Sequence, residues 1–394
     1  MHRLTSVLGM PQHRFDSIHV VGTNGKSSVA LMVAALLEAH GVESGASISP
    51  HLRRWSERMR VRGDEIEAER FASAVERAAE GAAAVDRTLE EGERVTQFEV
   101  ATAAAFVALA AAPVRAAAIE AGLGGRLDAT NVIASRVTVL TSVGLDHTQW
   151  LGDTETEIAG EKLAVLREGS CLVLGRTSEP VAALAEEIAR RRGARLVRAG
   201  EDPGTDVELR APGPFQRRNF ALAIAAAQAY LGAVDPDRVR RVAAEVTIPG
   251  RLEVLPGDPP TIVDAAHNPD GAAALAEALP ELAGGRPVIA CLGILAEKDA
   301  GAMVAALAPA VAEFVCTELP AEMLAGSGRP DARAWGATEL AGLCAAAGAH
   351  ATAAVDPRTA LAGARERARE TGGVALLTGS HYLLGAARAE LAAQ

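Results

Sequence analysis

Aromatic side chains are nearly missing from this 394-residue chain: Phe, Tyr and Trp make up 3% of it, although 49% is apolar. The core must therefore be packed mainly from Ala, Val, Leu and Ile. Cysteine is scarce too. Cys171, Cys291, Cys316 and Cys344 stand far apart in sequence and form no CxxC pair, which argues against structural zinc and a disulfide framework and suits a reducing compartment. No long Lys/Arg block occurs and the formal net charge is −11, so a nucleic-acid partner is not expected. The densest basic stretch, Arg53, Arg54, Arg58, Arg60 and Arg62, is interrupted by Glu57, and Asp64 and Glu65 follow it; it reads as a local anion site or a solvated face. Long apolar runs are lacking as well. The Ala-rich stretch at 101–112 is too short to span a bilayer, and the opening MHRLTSVLGMPQ has no apolar signal segment. A soluble cytoplasmic protein with no membrane partner is expected, and a monomer.

What the chain does have is alternation. Short β-branched runs at 18–21, 116–119, 137–141 and 171–174 predict strands, and patterns at 28–39, 99–111, 154–166 and 181–192 predict helices between them. A second alternation follows the Pro249-Gly250 break, with strands at 261–263, 288–292, 314–316 and 375–378. Its helices are predicted at 271–279, 301–307, 338–347 and 359–370. Such alternation predicts an α/β fold with mostly parallel sheets covered by helices. At about 100–200 residues per domain, the expected division is a larger domain at 1–249 and a smaller one at 250–394.

The strongest local signal is His19-Val20-Val21-Gly22-Thr23-Asn24-Gly25-Lys26-Ser27-Ser28, a strand passing through a Gly-rich turn into a helix. Such a turn brings backbone amides and a helix N-terminus onto phosphate oxygens, Lys26 adds a full charge, and a following hydroxyl can ligate Mg²⁺. The spacing is not the strict GxxxxGK[ST] pattern, because Val20 stands where its first glycine would be. A second loop, Glu120-Ala121-Gly122-Leu123-Gly124-Gly125-Arg126-Leu127-Asp128-Ala129-Thr130-Asn131, lacks the third glycine of a dinucleotide fingerprint. It suits a metal-and-phosphate site or a plain loop. Asp146-His147 follows the strand at 137–141 and suits either a metal or a loop hydrogen bond. In the C-terminal half, Asp264-Ala265-Ala266-His267-Asn268-Pro269 and Gly379-Ser380-His381-Tyr382 also follow strands, where open α/β sheets bind ligands. Polar clusters at strand ends in both halves imply a ligand held between the domains.

Together these segments resemble the Mur ligase superfamily, and within it folylpolyglutamate synthase and the bifunctional dihydrofolate synthase. The resemblance runs from about Leu8 to Gly385. It rests on HVVGTNGKSS at 19–28, SPHLRRWSERMRVRG at 49–63, FE at 98–99, EAGLGGRLDATNVI at 120–133 and TSVGLDHTQWLG at 141–152. It continues with EK at 161–162, Gln216 and Asn219, PGRLE at 249–253, DAAHNP at 264–269 and GSHY at 379–382. SPHL joined to GLGGRLDATN is characteristic of the folate branch.

The resemblance implies a P-loop-containing central ATPase domain with a mostly parallel sheet and a smaller Rossmann-like C-terminal domain. It implies an ATP- and Mg²⁺-dependent ligase, with two ions, joining L-glutamate to dihydropteroate or folate through an acyl phosphate. Gly22, Thr23, Asn24, Gly25, Lys26, Ser27 and Ser28 would cradle ATP, with Asn219 at the adenine, Arg251 at a phosphate and Asp264 at the ribose. Ser28, Glu120, His147 and a carbamylated Lys162 would be metal ligands. Ser49, Asp128, Lys162, His267 and Ser380 match positions important for activity, and His51 and Phe98 would contact the acceptor. Ser27 stands in place of a common glycine, where it could perturb the loop or compete for the metal. Leu163-Ala164-Val165 replaces the usual AGI, and Phe215 replaces a histidine before Gln216. Two other readings are a Mur-type ligase acting on a non-folate acceptor and a non-catalytic ATP-binding paralogue.

Overall fold

The computed structural model describes residues 1–325 and 332–385. The chain forms two compact units. The first comprises Met1–Arg210 with Gln216–Val246, and the second Ala211–Phe215 with the described residues from Thr247 onward.

In the first unit the strands are β1 (Asp16–Val21), β2 (Ser44–Ser47), β3 (Met59–Val61), β4 (Asp64–Glu65), β5 (Ala116–Glu120), β6 (Ser135–Leu140), β7 (Cys171–Leu174) and β8 (Arg195–Arg198). They form one sheet in the order β4-β3-β2-β5-β1-β6-β7-β8. All pairs are parallel except the β2–β3 and β3–β4 turnbacks. Strand β1 is central and almost wholly buried, which is why Ile18, Val20 and Val21 read as a continuous apolar run rather than an alternation. The chain leaves β1 for a helix at Lys26–Ala39 and returns as β2, leaving room for β5 beside β1; β6 later fills the other side. That reversal of winding makes the carboxyl ends of β5, β1 and β6 the switch point of the sheet, the place where such sheets bind ligands.

The second unit carries β9 (Glu253–Leu255), β10 (Thr261–Val263), β11 (Val288–Leu292), β12 (Glu313–Cys316), β13 (His350–Ala353) and β14 (Val374–Thr378). Their order is β13-β12-β11-β14-β10-β9, parallel throughout except for β9. Ile262, Leu292, Phe314 and Leu376 meet helix residues such as Leu275, Met303 and Leu340 in its core. Phe215, the departure before Gln216, packs against this same core. Cys316 and Cys344 lie with their sulfurs 3.7 Å apart, and all four cysteines are free and buried.

The expected strands and helices are present, and the mostly parallel α/β fold is as anticipated. Strands β2, β3, β4, β8, β9 and β13 were not anticipated: they are short, lie towards the sheet edges, and carry Gly, Ser, Ala, His or charged residues that mask a strand pattern. One helix boundary differs for a stated reason. The pattern at 154–166 predicts helix to Leu166, but the helix is Glu155–Leu163. The Glu161 carbonyl accepts from the Arg126 backbone amide at 3.0 Å, an external partner where the next turn would have supplied Val165. Val165 and Leu166 then turn into the core. No described helix is long and apolar enough to cross a membrane.

Candidate active site

The turn after β1 is held by the turn after β6. Thr23 donates its backbone N–H to the Ser142 carbonyl at 2.8 Å, and its hydroxyl exchanges hydrogen bonds with both backbone groups of Gly144, at 3.1 and 3.2 Å. The Asn24 amide donates to the Ser142 hydroxyl at 3.0 Å, and Thr141 Oγ1 donates to the Asn24 carbonyl at 2.6 Å. Two glycines permit this closeness. Gly22 has φ +152° and a Cβ there would overlap Thr141 Oγ1; Gly25 has φ +83° and a Cβ would lie 2.6 Å from Asn219 Oδ1. Gly25 is also the N-cap of the helix Lys26–Ala39, so that helix points its N-terminal amides at the turn. Lys26 Nζ folds back onto the Thr23 carbonyl at 3.0 Å.

Lys162 reaches the same turn. Its side chain is buried and Nζ donates to the Gly22 carbonyl at 2.9 Å. Burial and, secondarily, the Lys26 charge pull its pKa down to about 7, against the opposing pull of Asp146 and Asp128. The loop after β5 packs on the end of the helix that carries it: a Cβ on Gly125 would sit 2.7 Å from the Glu161 and Lys162 carbonyls. His147 adopts a left-handed backbone, φ 54°, and its amide donates to Asp146 Oδ1 at 2.9 Å.

Glu120, at the end of β5, is buried. Its Oε1 accepts from the Ser27 hydroxyl at 3.1 Å, and its Oε2 from the Ser49 backbone amide at 2.8 Å. Further along that loop Asp128 accepts from the amides of Leu123 and Thr130 and from the Thr130 hydroxyl. Thr130 Oγ1 lies 2.8 Å from His19 Nε2. Because the hydroxyl proton goes to Asp128, His19 must donate from Nε2, giving a buried chain from His19 through Thr130 to Asp128. Burial raises the Asp128 carboxyl above the usual range and lowers His19 to about 3. Phe98 lies directly over Gly122, with Cζ closer than a side chain there would allow. His51 lies 4.8 Å from Trp55 with the ring planes tilted by 42°, accepts from Arg58 Nε at 3.0 Å, and is held at about 4 by burial and by that guanidinium.

In the second unit Asp264 is buried and accepts from the Leu252 and Ala266 amides at 2.9 and 2.8 Å. Its carboxyl is raised by burial, with Arg251 opposing. These bonds fold the PGRLE turn onto the end of β10. His267 Nδ1 lies 2.9 Å from the Ala265 carbonyl, and its ring sits 5.0 Å from that of His381. Ser380 is buried, its hydroxyl accepting from the Tyr382 amide at 3.3 Å.

Within the first unit the structure thus brings together Gly22 to Ser28, Ser49, Glu120 and Lys162. Sequence reasoning placed His19, Thr141 and Ser142 in its motifs but gave them no role; they orient the others. Their signal was present, since all three are polar residues within or next to predicted strands. Among the described residues no three His, Cys, Asp or Glu side chains converge on one point. The donors available are the Ser28 hydroxyl, a carboxylate and an imidazole. Mg²⁺ takes few protein ligands, prefers hard oxygen donors and shares its shell with water and substrate phosphates, so the hydroxyl and the carboxylate fit such an ion.

The profile of the "Mur ligase, glutamate ligase domain" family matches residues 250–381. The dihydrofolate synthase/folylpolyglutamate synthase of Mycobacterium tuberculosis is 37% identical over 352 residues, covering 80% of this chain and 72% of the relative. The structure of Mycobacterium tuberculosis folylpolyglutamate synthase complexed with ADP superposes with a TM-score of 0.91 at 32% identity, over 99% of this chain and 93% of that one. The bifunctional folylpolyglutamate synthase/dihydrofolate synthase of Yersinia pestis, complexed with AMPPNP and a Mn ion, gives 0.83 at 28%, over 99% and 92%. A P-loop at the switch point, the folate-branch motifs in order, and relatives this close over most of their length lead to one conclusion: the chain belongs to the folylpolyglutamate synthase/dihydrofolate synthase family of Mur ligases.

Proposed function

We propose that this protein is a bifunctional ATP-dependent ligase that adds L-glutamate to dihydropteroate and to tetrahydrofolate (poly)glutamates. The observation that carries the reading is the convergence of the GTNGKSS turn, Glu120 and the Thr141–His147 segment at adjacent strand ends in a chain of this family. In the reaction the acceptor's carboxylate oxygen attacks the γ-phosphorus of ATP and ADP leaves. The glutamate amine then attacks the acyl carbon, phosphate leaves with the bonding pair, and the amine loses a proton.

Phosphoryl transfer needs alignment and charge neutralisation more than covalent help. The amides of Gly22 to Ser28 and the Lys26 ammonium bind the phosphates, Asn219 the adenine, and Arg251 a phosphate. Asp264 lies at the ribose position by resemblance, and in this fold it shapes the turn that presents Arg251. Ser28, Glu120, His147 and carbamylated Lys162 would hold two Mg²⁺ ions, which supply neutralising charge to the phosphates when bound. A lysine amine held near neutrality is available to CO₂, and carbamylation replaces its charge with an anion. Phe98 and His51 receive the acceptor, His51 as an uncharged ring. Asp128 holds the loop that links Glu120 to the rest of the site, and Ser49, His267 and Ser380 orient reactants. Reduced, buried cysteines suit a cytoplasmic enzyme.

The test is phosphate release from ATP with Mg²⁺ and L-glutamate, comparing dihydropteroate, tetrahydrofolate and no acceptor. Release with both acceptors is expected. Release with one alone would restrict the activity to that acceptor; release with neither, alongside confirmed ATP binding, would overturn the folate reading and favour a different acceptor or a paralogue without catalysis.

A further inference from the structure

Ser27 occupies the position between the P-loop lysine and the serine expected on the metal, yet its side chain does not point towards the phosphate cradle's own backbone. Its hydroxyl donates to Glu120 Oε1 at 3.1 Å and lies 3.3 Å from the Ser49 carbonyl oxygen. The other carboxylate oxygen of Glu120 is engaged by the Ser49 amide at 2.8 Å. One buried carboxylate therefore bridges the first turn of the helix after β1 and the segment after β2, with Ser27 and Ser49 gripping one oxygen each. A hydroxyl has a single proton. The charged, nearer Glu120 oxygen is its better acceptor, and the Ser49 carbonyl shares it.

We infer that Ser27 is a positioning residue: it sets the orientation of Glu120 for the divalent ion and, through the same carboxylate, fixes the start of the acceptor segment against the nucleotide turn. The inference rests on the ligase reading above for the role of Glu120. A glycine at this place removes the Ser27 hydroxyl from Glu120 and leaves the Ser49 amide contact in place. The backbone amide of Ser27 remains available to a phosphate, so the two roles are compatible. The geometry also separates Ser27 from Ser28, whose hydroxyl belongs to the next position around the helix and is itself buried.

The experiment uses the full chain as wild type, Ser27→Ala and Ser27→Thr. Alanine keeps the helical turn and removes only the hydroxyl; threonine restores it. Three quantities are read: Mn²⁺ affinity in the presence of AMPPNP, by electron paramagnetic resonance; AMPPNP affinity in EDTA; and, without any ligand, amide exchange of residues 48–52 by mass spectrometry. Losing one hydrogen bond to a carboxylate should weaken Mn²⁺ binding about five- to tenfold in Ser27→Ala and speed exchange at Ser49 by a similar factor. Ser27→Thr should recover both, and AMPPNP affinity in EDTA should stay within about twofold of wild type. Both effects are required, so absence of either overturns the inference. Tighter Mn²⁺ binding by Ser27→Ala would make the serine a competitor of the metal. An equal loss of AMPPNP affinity in EDTA would make it a phosphate contact; either result overturns the positioning role. A wild-type protein that binds no Mn²⁺ with AMPPNP overturns the ligase reading and this inference with it. Unchanged exchange in the ligand-free variants overturns the inference alone.

Discussion

Each unit buries an aspartate at the carboxyl edge of its sheet, and the two are wired differently. Asp264 holds the amides of Leu252 and Ala266 and so organises a turn close to it in the chain. Asp128 holds its own loop too, but through Thr130 it also grips His19 on another strand. The same contrast runs through both edges. In the first unit the ties join separate loops: Thr23 to Gly144, Asn24 to Ser142, Ser27 to Glu120, Lys162 to Gly22. In the second, the His267–Ala265, Asn268–Gly271 and Ser380–Tyr382 bonds each stay within their own segment, while Asp264 also ties in the turn at Leu252. The side-chain ties named in the first unit cross between loops, and most of those named in the second close on their own turns. Damage should therefore spread in the first unit and stay local in the second.

The largest expected effect separates the two edges by chemistry. Lys26→Ala removes the one full charge within the nucleotide turn and should lower kcat/KM for MgATP by about 10³-fold. His267→Ala should cost about ten- to a hundredfold. Steady-state phosphate release measures both, and equal losses would break the comparison.

Acid should find the first unit's brace next. His19 titrates at about 3 when folded and at 6.5 in the open chain. Between those values the unfolded chain takes up a proton that the folded one refuses. Stability is unaffected above about pH 6.5 and falls as pH drops towards 3, by up to about 1.4 kcal/mol per pH unit. Urea unfolding of wild type and His19→Asn at pH 7, 5 and 4 checks this: the variant should show a shallower decline. Parallel curves would remove His19 as the cause.

The finest distinction lies in two glycines at corresponding places. Gly22 would push a methyl into the Thr141 side chain, whereas Gly379, φ +104°, would push one to 2.5 Å from the Gly293 carbonyl oxygen. Alanine at either should cost at least about 2 kcal/mol. Adding Thr141→Ala should return part of that to Gly22→Ala, while Gly379→Ala meets backbone and has no such remedy. Thermal melts of the two single variants and the double variant read the difference.

Much of this was legible in the sequence. Strands β10 and β11 are buried apolar runs between turn residues, and their limits follow the pattern directly. The P-loop announced itself because glycines, a lysine and serines between a strand and a helix have few other uses. What was not legible depended on distance in the chain. Nothing in the residues around Ser27 says that Glu120 will arrive beside it, because β5 is inserted next to β1 only after the intervening helices are placed. The early end of the helix at Leu163 was hidden for the same reason: the amide that terminates it belongs to Arg126. Lys162 stands out only through the resemblance, and its burial against Gly22 is a tertiary fact.

Ala211–Phe215 belongs to the second unit although the chain then returns to the first for Gln216–Val246. A Cβ on Gly213 would touch Leu252 and Ala278, and Phe215 packs into the second core. Translation makes this short segment before any of those partners exist. A ribosome must therefore finish the first unit's last helices while an exposed phenylalanine awaits its pocket, and a gene cut at residue 247 would release a C-terminal fragment with a hole where Phe215 belongs. The two units are modular as shapes but not as stretches of message.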